Sequence, residues 1–213
     1  MTSGIGRRRA AARDEGGAAY QERRTEIVHA AAEMFKKNGY RGTKLMDIAE
    51  AMGLDRASLY YYVGSKEELF HEVVGTAVET NADTAEQILA GPGAAPDKLR
   101  TLVRSLMVSY AETYPFLYVY IQENLGTGAR DTSDWAREMR HHNKRYENAV
   151  VAIVQAGIDE GTLRTETQAW VIGFGIIGMV AWSNRWFDPT TSTVPAEEIG
   201  AAYAETLLRG LQV

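Results

Sequence analysis

The 213-residue chain contains no cysteine, and this absence excludes several classes of protein at once. Disulfide-stapled folds, thiol catalysis and cysteine-ligated zinc or iron–sulfur centres all need that residue. The adjacent pair His141 and His142 is a poor metal motif, because metal ligands on a helix favour a spacing of four. We therefore expect neither a metal site nor a cofactor.

Long hydrophobic runs are also missing. The longest, "AWVIGFGIIGMVAW" at residues 169–182, is shorter than the ~18 to 20 residues that a membrane-spanning helix needs. The first residues have no apolar stretch of the kind found in secretory signals. These features predict a cytoplasmic protein with no membrane partner, and a buried helix at 169–182.

Positive charge is sparse overall but is unevenly distributed. Residues 1–70 hold 12 Lys or Arg and 10 Asp or Glu, a net charge of +2, whereas residues 71–213 hold 11 and 18, a net charge of −7. If the protein binds nucleic acid, the pattern predicts that it does so with its first third.

The hydrophobic spacing is helical throughout, and no stretch alternates like a strand. We expect an all-α fold of about nine helices, preceded by a disordered basic arm over residues 1–21. Caps are predicted at Thr43, Asp55 and Ser65 for the second to fourth helices, and at Thr165 for a later helix over 166–187.

Residues 45–62 have the pattern of a helix-turn-helix, in which two helices cross closely around a sharp glycine turn. Gly53 supplies the turn because glycine tolerates positive φ. The alternative is an ordinary helical hairpin inside a bundle. The inward positions of the motif are Leu45, Ile48, Ala49, Met52, Leu54 and Leu59.

The exposed side of the third helix then carries chemistry suited to DNA. Arg56, near the helix start, can reach guanine O6 and N7, and Tyr60 and Tyr61 can contact phosphates, sugars and thymine methyl groups. Lys66 begins the next helix and is placed for a phosphate, while Tyr62 is expected to turn back between helices.

The stretch "GYRGTKLMDIAEAMGLDRASLYYYVGSKEELF" resembles the DNA-binding domain of the tetracycline-repressor (TetR) family. The resemblance implies a helix-turn-helix domain over residues 22–70, a ligand-binding and dimerisation domain over 71–213, and a homodimer on a palindromic double-stranded DNA operator. The segment Tyr62-Val63-Gly64 departs from the family's usual aromatic pair. The implied DNA contacts are Thr43, Lys44, Arg56, Ala57, Ser58, Tyr60, Tyr61 and Lys66.

Aromatic residues are concentrated in the acidic remainder, where each one is either core or part of an apolar pocket for a small-molecule effector. The predicted pocket residues are Leu106, Tyr110, Phe116, Tyr120, Tyr146, Phe174, Trp182 and Arg185. Small residues spaced along the last two helices indicate a self-complementary dimer surface, with an internal core as the alternative. Its predicted members are Gly175, Gly178, Trp182, Ile199, Tyr203 and Leu207.

The segment "WSNRWFDP" at 182–189 is similar to a Trp-rich ending in repressors of fatty-acid and sterol catabolism, whose effectors are acyl-CoA thioesters. Arg185 would then meet an anionic group, or else pair with Asp188. The acidic charge leaves a second function open, a repressor of a drug-efflux gene that responds to cationic aromatic compounds near Glu112 and Glu123. No catalytic motif is present, so we expect a ligand-responsive transcriptional repressor and not an enzyme.

Overall fold

The computed structural model describes residues 17–127 and 133–211, and most of the predicted arm, including "RRRAAAR", lies outside them. All regular elements in these ranges are helices, which confirms the all-α prediction. The helices are α1 (Ala18–Asn38), α2 (Leu45–Ala51), α3 (Arg56–Tyr62), α4 (Lys66–Ala90), α5 (Ala95–Glu112), α6 (Phe116–Thr127), α7 (Asp134–Asp159), α8 (Ala169–Ala181) and α9 (Ala196–Leu211), with a 3-10 helix (Trp182–Arg185) directly after α8.

The chain divides into two compact units. The first contains the described residues up to Val74 together with Tyr118–Gly126, and the second contains Gly75–Leu117 and the chain from Thr127 onward. The division after Val74 lies near the predicted boundary at residue 70. The grouping of most of α6 with the first unit had no signal in the sequence.

The first unit is built around apolar side chains that each of its first four helices directs inward. Ile27, Ile48, Leu59 and Leu69, one from each helix, are fully buried. Helix α1 begins at Ala18 and not at residue 22, so the last residues assigned to the arm are helical. Apolar residues three and four positions apart lie on one face of each helix, and these faces pack together in one core.

The second unit depends on close helix contacts at glycine. A Cβ atom on Gly200 of α9 would lie 2.8 Å from the Cα of Arg104 on α5, and one on Gly173 of α8 would lie 2.8 Å from Cγ2 of Val151 on α7. No larger side chain fits these contacts without displacement of a neighbour. The surrounding core consists of Leu99, Leu102, Val103, Met107, Val150, Ile153, Val154, Ile176, Val180, Ala204 and Leu208.

A salt bridge joins α7 to the later part of α4 within the second unit. The guanidinium of Arg145 donates to Oδ1 of Asp83 at 2.6 Å and to both carboxylate oxygens of Glu86 at 3.0 and 2.5 Å. Hydrogen bonding by Arg145 lowers the pKa of Glu86. His142 is buried with Nδ1 3.2 Å from Nη1 of Arg145. No cluster of three metal-ligating side chains occurs in the described part of the chain.

Helix α8 is shorter than predicted. It begins at Ala169, because the Thr165 hydroxyl accepts from the N–H of Thr167 at 3.1 Å in a local turn instead of capping a helix at 166. The predicted cap at Thr165 is therefore wrong. Among the described helices, none is both long and apolar enough to cross a membrane.

Candidate DNA-binding and effector-binding sites

The turn between α2 and α3 follows the helix-turn-helix expectation closely. Gly53 has φ of +63°, the left-handed conformation that glycine adopts without strain. The N–H of Leu54 then donates back to the carbonyl of Ala49 at 2.9 Å. Ile48 and Ala49 are fully buried below the turn, so α3 leaves it in a fixed direction.

Asp55 starts α3 as predicted. Its Oδ1 accepts from the N–H of Ser58 at 2.8 Å and its Oδ2 accepts from the Ser58 hydroxyl at 3.0 Å. These hydrogen bonds, that from the Ser58 N–H foremost, lower the pKa of Asp55. The cap leaves Arg56 and Ala57 exposed in the first turn, whereas the hydroxyl of half-buried Ser58 is already bonded within the protein.

Two predicted DNA-contacting side chains touch each other on the surface of α3. The Cζ atom of Arg56 lies 5.4 Å from the centre of the Tyr60 ring, which is within cation–π range. Leu59 between them is fully buried. One face of this short helix is therefore anchored in the core, while the other carries an exposed guanidinium and a half-buried phenol.

The three adjacent tyrosines have three different environments. Tyr60 lies beside Arg56, and Tyr61 is the most exposed of the three, with 42% of its surface accessible. Tyr62 stacks on Tyr20 of α1, with ring centres 5.0 Å apart and planes 28° apart. Tyr20 also meets the edge of Tyr61, at 5.6 Å. The aromatic cluster of Tyr20, Tyr61 and Tyr62 thus ties the end of α3 to the first turn of α1.

Thr43 is the one predicted DNA contact that the structure places in the interior. The residue is completely buried, and its hydroxyl lies 3.1 Å from the carbonyl oxygen of Met34 and 3.0 Å from that of Gly39. It does not cap α2 as predicted, since the helix begins one residue later. Lys44 is the cap residue, with its N–H donating to Oδ2 of Asp47 at 2.8 Å, and it is exposed.

Lys66, expected to reach a phosphate, is half-buried at the start of α4. Its ammonium group donates to the carbonyl oxygens of Tyr40 at 2.8 Å and of Thr43 at 2.9 Å. The Ser65 hydroxyl caps the same helix by accepting from the N–H of Glu68 at 3.0 Å, which confirms that part of the prediction. Lys66 therefore has an internal role that its sequence position did not reveal.

The second unit gathers some of the predicted effector residues in its interior. Leu106, Tyr110 and Phe116 are buried. Burial raises the pKa of both the Tyr110 and the Tyr146 hydroxyl, and the Coulombic effect of Tyr110 adds to the rise at Tyr146. Tyr110 is buried and Tyr146 is half-buried, so burial disfavours the charged form of both phenols.

Asn184 is a polar neighbour of this pair that the sequence did not single out. Its side chain lies near the Tyr110 hydroxyl and opposes the rise in that tyrosine's pKa. The Asn184 amide also donates to the carbonyl of Ala181 at 2.9 Å and is 7% exposed. We refer to Tyr110, Tyr146 and Asn184 together as the tyrosine–asparagine cluster.

The remaining predicted effector residues lie elsewhere. Tyr120 belongs to the first unit and is buried there. Phe174 is 43% exposed and Trp182 is 63% exposed, because both point away from the core of the second unit. Arg185 is exposed, and its Cζ lies 5.3 Å from the centre of the Trp182 ring.

One side of α8 forms a continuous exposed apolar surface, called here the α8 face. A Cβ atom on Gly175 or Gly178 would meet nothing within 4 Å, in contrast to Gly173 on the opposite side of the helix. Exposed aromatic side chains of 43% to 63% accessibility lie on both sides of these glycines. The α8 face consists of Trp170, Val171, Phe174, Gly175, Gly178 and Trp182.

The predicted dimer residues of α9 divide between core and surface. Ile199 is only 7% exposed and packs inside its own unit, so it does not contribute to the outer surface. Tyr203 and Leu207 are half-buried. The side chain of exposed Trp186, a residue that follows the 3-10 helix, lies near the Tyr203 hydroxyl and opposes the rise in its pKa that burial causes.

A cleft of 390 Å³ lies between the end of α5 and the loop that precedes α9. Its floor includes Phe187, and its polar side chains include the carboxylates of Glu112 and Glu197 but no cation. None of the eight predicted pocket residues lines it, whereas Glu112, expected near a cationic effector, does. The full lining is Val108, Ala111, Glu112, Phe187, Pro189, Ser192, Thr193, Val194, Pro195, Ala196 and Glu197.

Comparison with known families agrees with this geometry. A family model described as "Bacterial regulatory proteins, tetR family" matches residues 27–73, which contain the helix-turn-helix. A second model, "Tetracyclin repressor-like, C-terminal domain", matches residues 92–211, more than half of the chain. The chain belongs to the TetR family. Members of this family are DNA-binding transcriptional regulators and not enzymes, as the sequence predicted.

Curated relatives within the TetR family include transcriptional repressors. The HTH-type transcriptional repressor KstR2 of Rhodococcus jostii (strain RHA1) is 25% identical over 190 residues, covering 89% of this chain and 91% of that protein. KstR2 of Mycolicibacterium smegmatis is 27% identical over 192 residues, covering 89% and 90%.

Solved structures of TetR regulators share the fold over most of their length. PfmR from Thermus thermophilus has a TM-score of 0.73 and 30% identity, covering 86% of this chain and 97% of that one. The ketosteroid transcriptional regulator KstR2 of Mycobacterium tuberculosis has a TM-score of 0.81 at 24% identity, covering 90% and 95%. AibR, solved with isovaleryl coenzyme A and operator DNA, has a TM-score of 0.70 at 21% identity, covering 87% and 98%.

Sequence reasoning missed two residues of this TetR-family site for different reasons. Tyr20 was assigned to the arm, although an aromatic residue just before a helical pattern is a signal that the helix starts earlier. Asn184 follows an apolar run and reads as a surface residue. Only the packing of the 3-10 helix directs it toward Tyr110.

Proposed function

We propose that the protein is a dimeric repressor that binds a palindromic operator with α3 and is released by a small hydrophobic effector, with an acyl-CoA thioester as the effector class. The observation that carries the DNA-binding part is the geometry of α3. A glycine turn and an aspartate cap hold a helix whose buried side is Leu59 and whose outer side carries exposed Arg56 and Tyr61 with half-buried Tyr60. As a regulator of transcription it would act in the cytoplasm.

The exposed residues of α3 suit the two kinds of contact that a recognition helix makes. Arg56 and Ala57 lie in the first turn, where such a helix usually meets base edges. Tyr60 and Tyr61 lie one turn later, where phenol hydroxyls can donate to phosphates. Lys44, exposed at the start of α2, supplies a cation for the DNA backbone. These residues, with Ser58 at the edge, are the proposed interface.

The α8 face suits a second copy of the chain. Exposed Trp170, Phe174 and Trp182 offer large apolar areas, and open space at Gly175 and Gly178 lets another helix approach closely. A two-fold axis would bring the same surface of each copy together, which is how most homodimers assemble. Tyr203 and Leu207 of α9 would flank this contact. Two recognition helices roughly 34–36 Å apart would then read successive major grooves.

The tyrosine–asparagine cluster is the proposed anchor for the polar atom of the effector, with Leu106 and Phe116 as apolar neighbours. Buried polar groups are costly unless they are hydrogen-bonded, and two neutral phenols and an amide can satisfy a carbonyl oxygen such as that of a thioester.

Arg185 is suited to the anionic part of the effector. Among the described residues no carboxylate pairs with it, and its planar guanidinium lies over Trp182. Asp188, the alternative partner, instead accepts from the Tyr114 hydroxyl at 2.8 Å and from Thr190 at 2.6 Å. KstR2 of Mycobacterium tuberculosis is described as a ketosteroid regulator and AibR was solved with isovaleryl coenzyme A, which supports an acyl-CoA effector here.

The direct test is operator release. A duplex selected from random DNA by the wild-type protein would be titrated with protein, with and without a long-chain acyl-CoA and a steroid thioester. We expect specific binding that one of the thioesters weakens, and weaker release in Arg185→Gln than in the matched control Arg209→Gln. Specific binding that is indifferent to both thioesters would discard the effector class and leave the repressor, whereas no selected sequence would discard the repressor.

The cleft supports a second candidate, a repressor that responds to cationic aromatic compounds. Glu112 and Glu197 face an apolar floor with Phe187, and no cation in the lining neutralises them. Ethidium is a suitable fluorescent probe of this candidate. We expect binding that Glu112→Gln weakens and that Glu160→Gln, an exposed control, leaves unchanged. Equal binding by all three proteins would discard the cleft as the site.

A further inference from the structure

The ammonium group of Lys66 occupies a cage made by a single loop of the chain. It lies 2.8 Å from the carbonyl oxygen of Tyr40, 2.9 Å from that of Thr43 and 4.5 Å from the centre of the Tyr40 ring. All these groups belong to the loop between α1 and α2, whereas Lys66 is the first residue of α4. The backbone of the loop is therefore hydrogen-bonded to α4 through the Lys66 side chain.

The same loop is held from its other side by Thr43. The buried Thr43 hydroxyl lies within hydrogen-bonding distance of the carbonyls of Met34 and Gly39, at the end of α1. The Tyr40 ring packs between Phe35 and Phe70, at 5.2 and 4.8 Å between ring centres. The loop backbone thus has α1 on one side and Lys66 on the other. Lys44, the residue after Thr43, is the N-terminal cap of α2.

We propose that Lys66 is a positioning residue for DNA binding, and that it acts through the main chain of Tyr40 and Thr43 instead of contacting a DNA phosphate. A lysine has three N–H donors, and two of them are already used by these carbonyls. Movement to a phosphate would leave two half-buried carbonyl oxygens without their partner and would remove the cation from the ring. The inference rests on the proposed DNA binding, in which Lys44 at the start of α2 contacts the DNA backbone and so must be held in position.

The salt dependence of binding separates the two roles. Each phosphate contact that is lost reduces the slope of log K against log salt by about 0.9 on duplex DNA. Lys66→Met would be measured beside wild type and Lys44→Met on a duplex selected by the wild-type protein, between low and moderate salt. We expect Lys66→Met to bind about tenfold more weakly at every salt concentration with an unchanged slope. We expect Lys44→Met to reduce the slope by about 1.8, because the dimer loses one phosphate contact in each half-site.

Hydrogen exchange gives a readout that needs no DNA. In the DNA-free protein we expect Lys66→Met to speed amide exchange at residues 41–44 several-fold, while exchange in the middle of α1 stays as in wild type. This readout stays valid if no operator is found, so failure of the proposed function and failure of this inference remain distinguishable. Uniformly faster exchange through the first unit would show a role in general stability and would overturn the positioning role.

A slope reduced by about 1.8 in Lys66→Met, as for Lys44→Met, would also overturn the inference, as would wild-type affinity at all salt concentrations. If Lys66→Met does not fold, Lys66→Arg serves in its place. It keeps the charge for a phosphate but replaces a compact ammonium by a planar group that does not fit the same cage. Positioning predicts weaker binding by Lys66→Arg at an unchanged slope, and a phosphate contact predicts wild-type binding.

Discussion

Helix α3 and helix α8 both expose aromatic side chains, but the surroundings of those side chains differ. On α3 the rings are those of exposed Tyr61 and half-buried Tyr60, so each carries a hydroxyl, and Tyr60 also lies next to the cation of Arg56. On α8 the exposed rings are Trp170, Phe174 and Trp182, set around two glycines with open space above them. The first combination suits a hydrated polyanion and the second suits another protein helix. Exposed aromatic area by itself does not indicate the partner, because the neighbouring residues decide it.

Phe174→Asp should produce the largest effect, because it places a charge at the centre of the α8 face. An unpaired charge buried in an interface costs about 3–5 kcal/mol. We expect monomers at concentrations where wild type is dimeric, with unchanged helix content by circular dichroism. Analytical ultracentrifugation measures the change. Asn148→Asp, an exposed position on α7, is the control, and a dimeric Phe174→Asp would show that α8 does not form the interface.

Arg56→Ala tests the outer surface of α3 and should leave the dimer intact. Loss of a bidentate contact to a base costs about 1–3 kcal/mol, so operator binding should weaken by roughly 5- to 150-fold for each half-site of the palindrome. Specificity at one base position should relax with it. Fluorescence anisotropy on the selected duplex and on its single-base variants checks both effects. If Arg56→Ala discriminates against the single-base duplex variants as strongly as the wild-type protein does, Arg56 does not read a base.

Two glycine substitutions compare the backbone conformation of the turn before α3 with that of α8. Gly53→Ala forces a side chain into a positive-φ turn and should lower the free energy of unfolding by about 1–2 kcal/mol. Gly178→Ala lies in a helix with open space at its Cβ and should instead raise monomer stability, by up to about 1 kcal/mol from helix propensity. Urea unfolding of both variants in the Phe174→Asp background measures the difference. If both substitutions changed the free energy of unfolding in the same direction, this difference between the two glycines would be contradicted.

Tyr20→Leu should give the smallest effect and sharpens the description of α3. It keeps apolar volume but removes the aromatic contacts to Tyr61 and Tyr62, which are worth about 0.5–1.5 kcal/mol. We expect a small fall in thermal stability and a weaker operator complex, because Tyr61 loses a neighbour that holds its ring. Unchanged binding would mean that the aromatic cluster only stabilises the fold.

Local patterns determined the all-α class, the glycine turn at Gly53 and the caps at Asp55 and Ser65, because helix periods, left-handed turns and caps depend on residues within a few positions of one another. The same patterns misplaced the caps at Thr43 and Thr165. Hydroxyls have several nearby acceptors and donors, and the packing around Thr43 selected the carbonyls of α1.

The tertiary structure alone decided which side of each apolar helix faces outward. In α8 nearly every residue is apolar, so the sequence did not separate Gly173, packed on Val151, from Gly175 and Gly178, which are open. Tertiary packing also turned Phe174 outward and buried Ile199. The same packing directed Asn184 to Tyr110 and Lys66 to Tyr40. These outcomes depend on residues far apart in the chain, whose contacts exist only once the helices have packed.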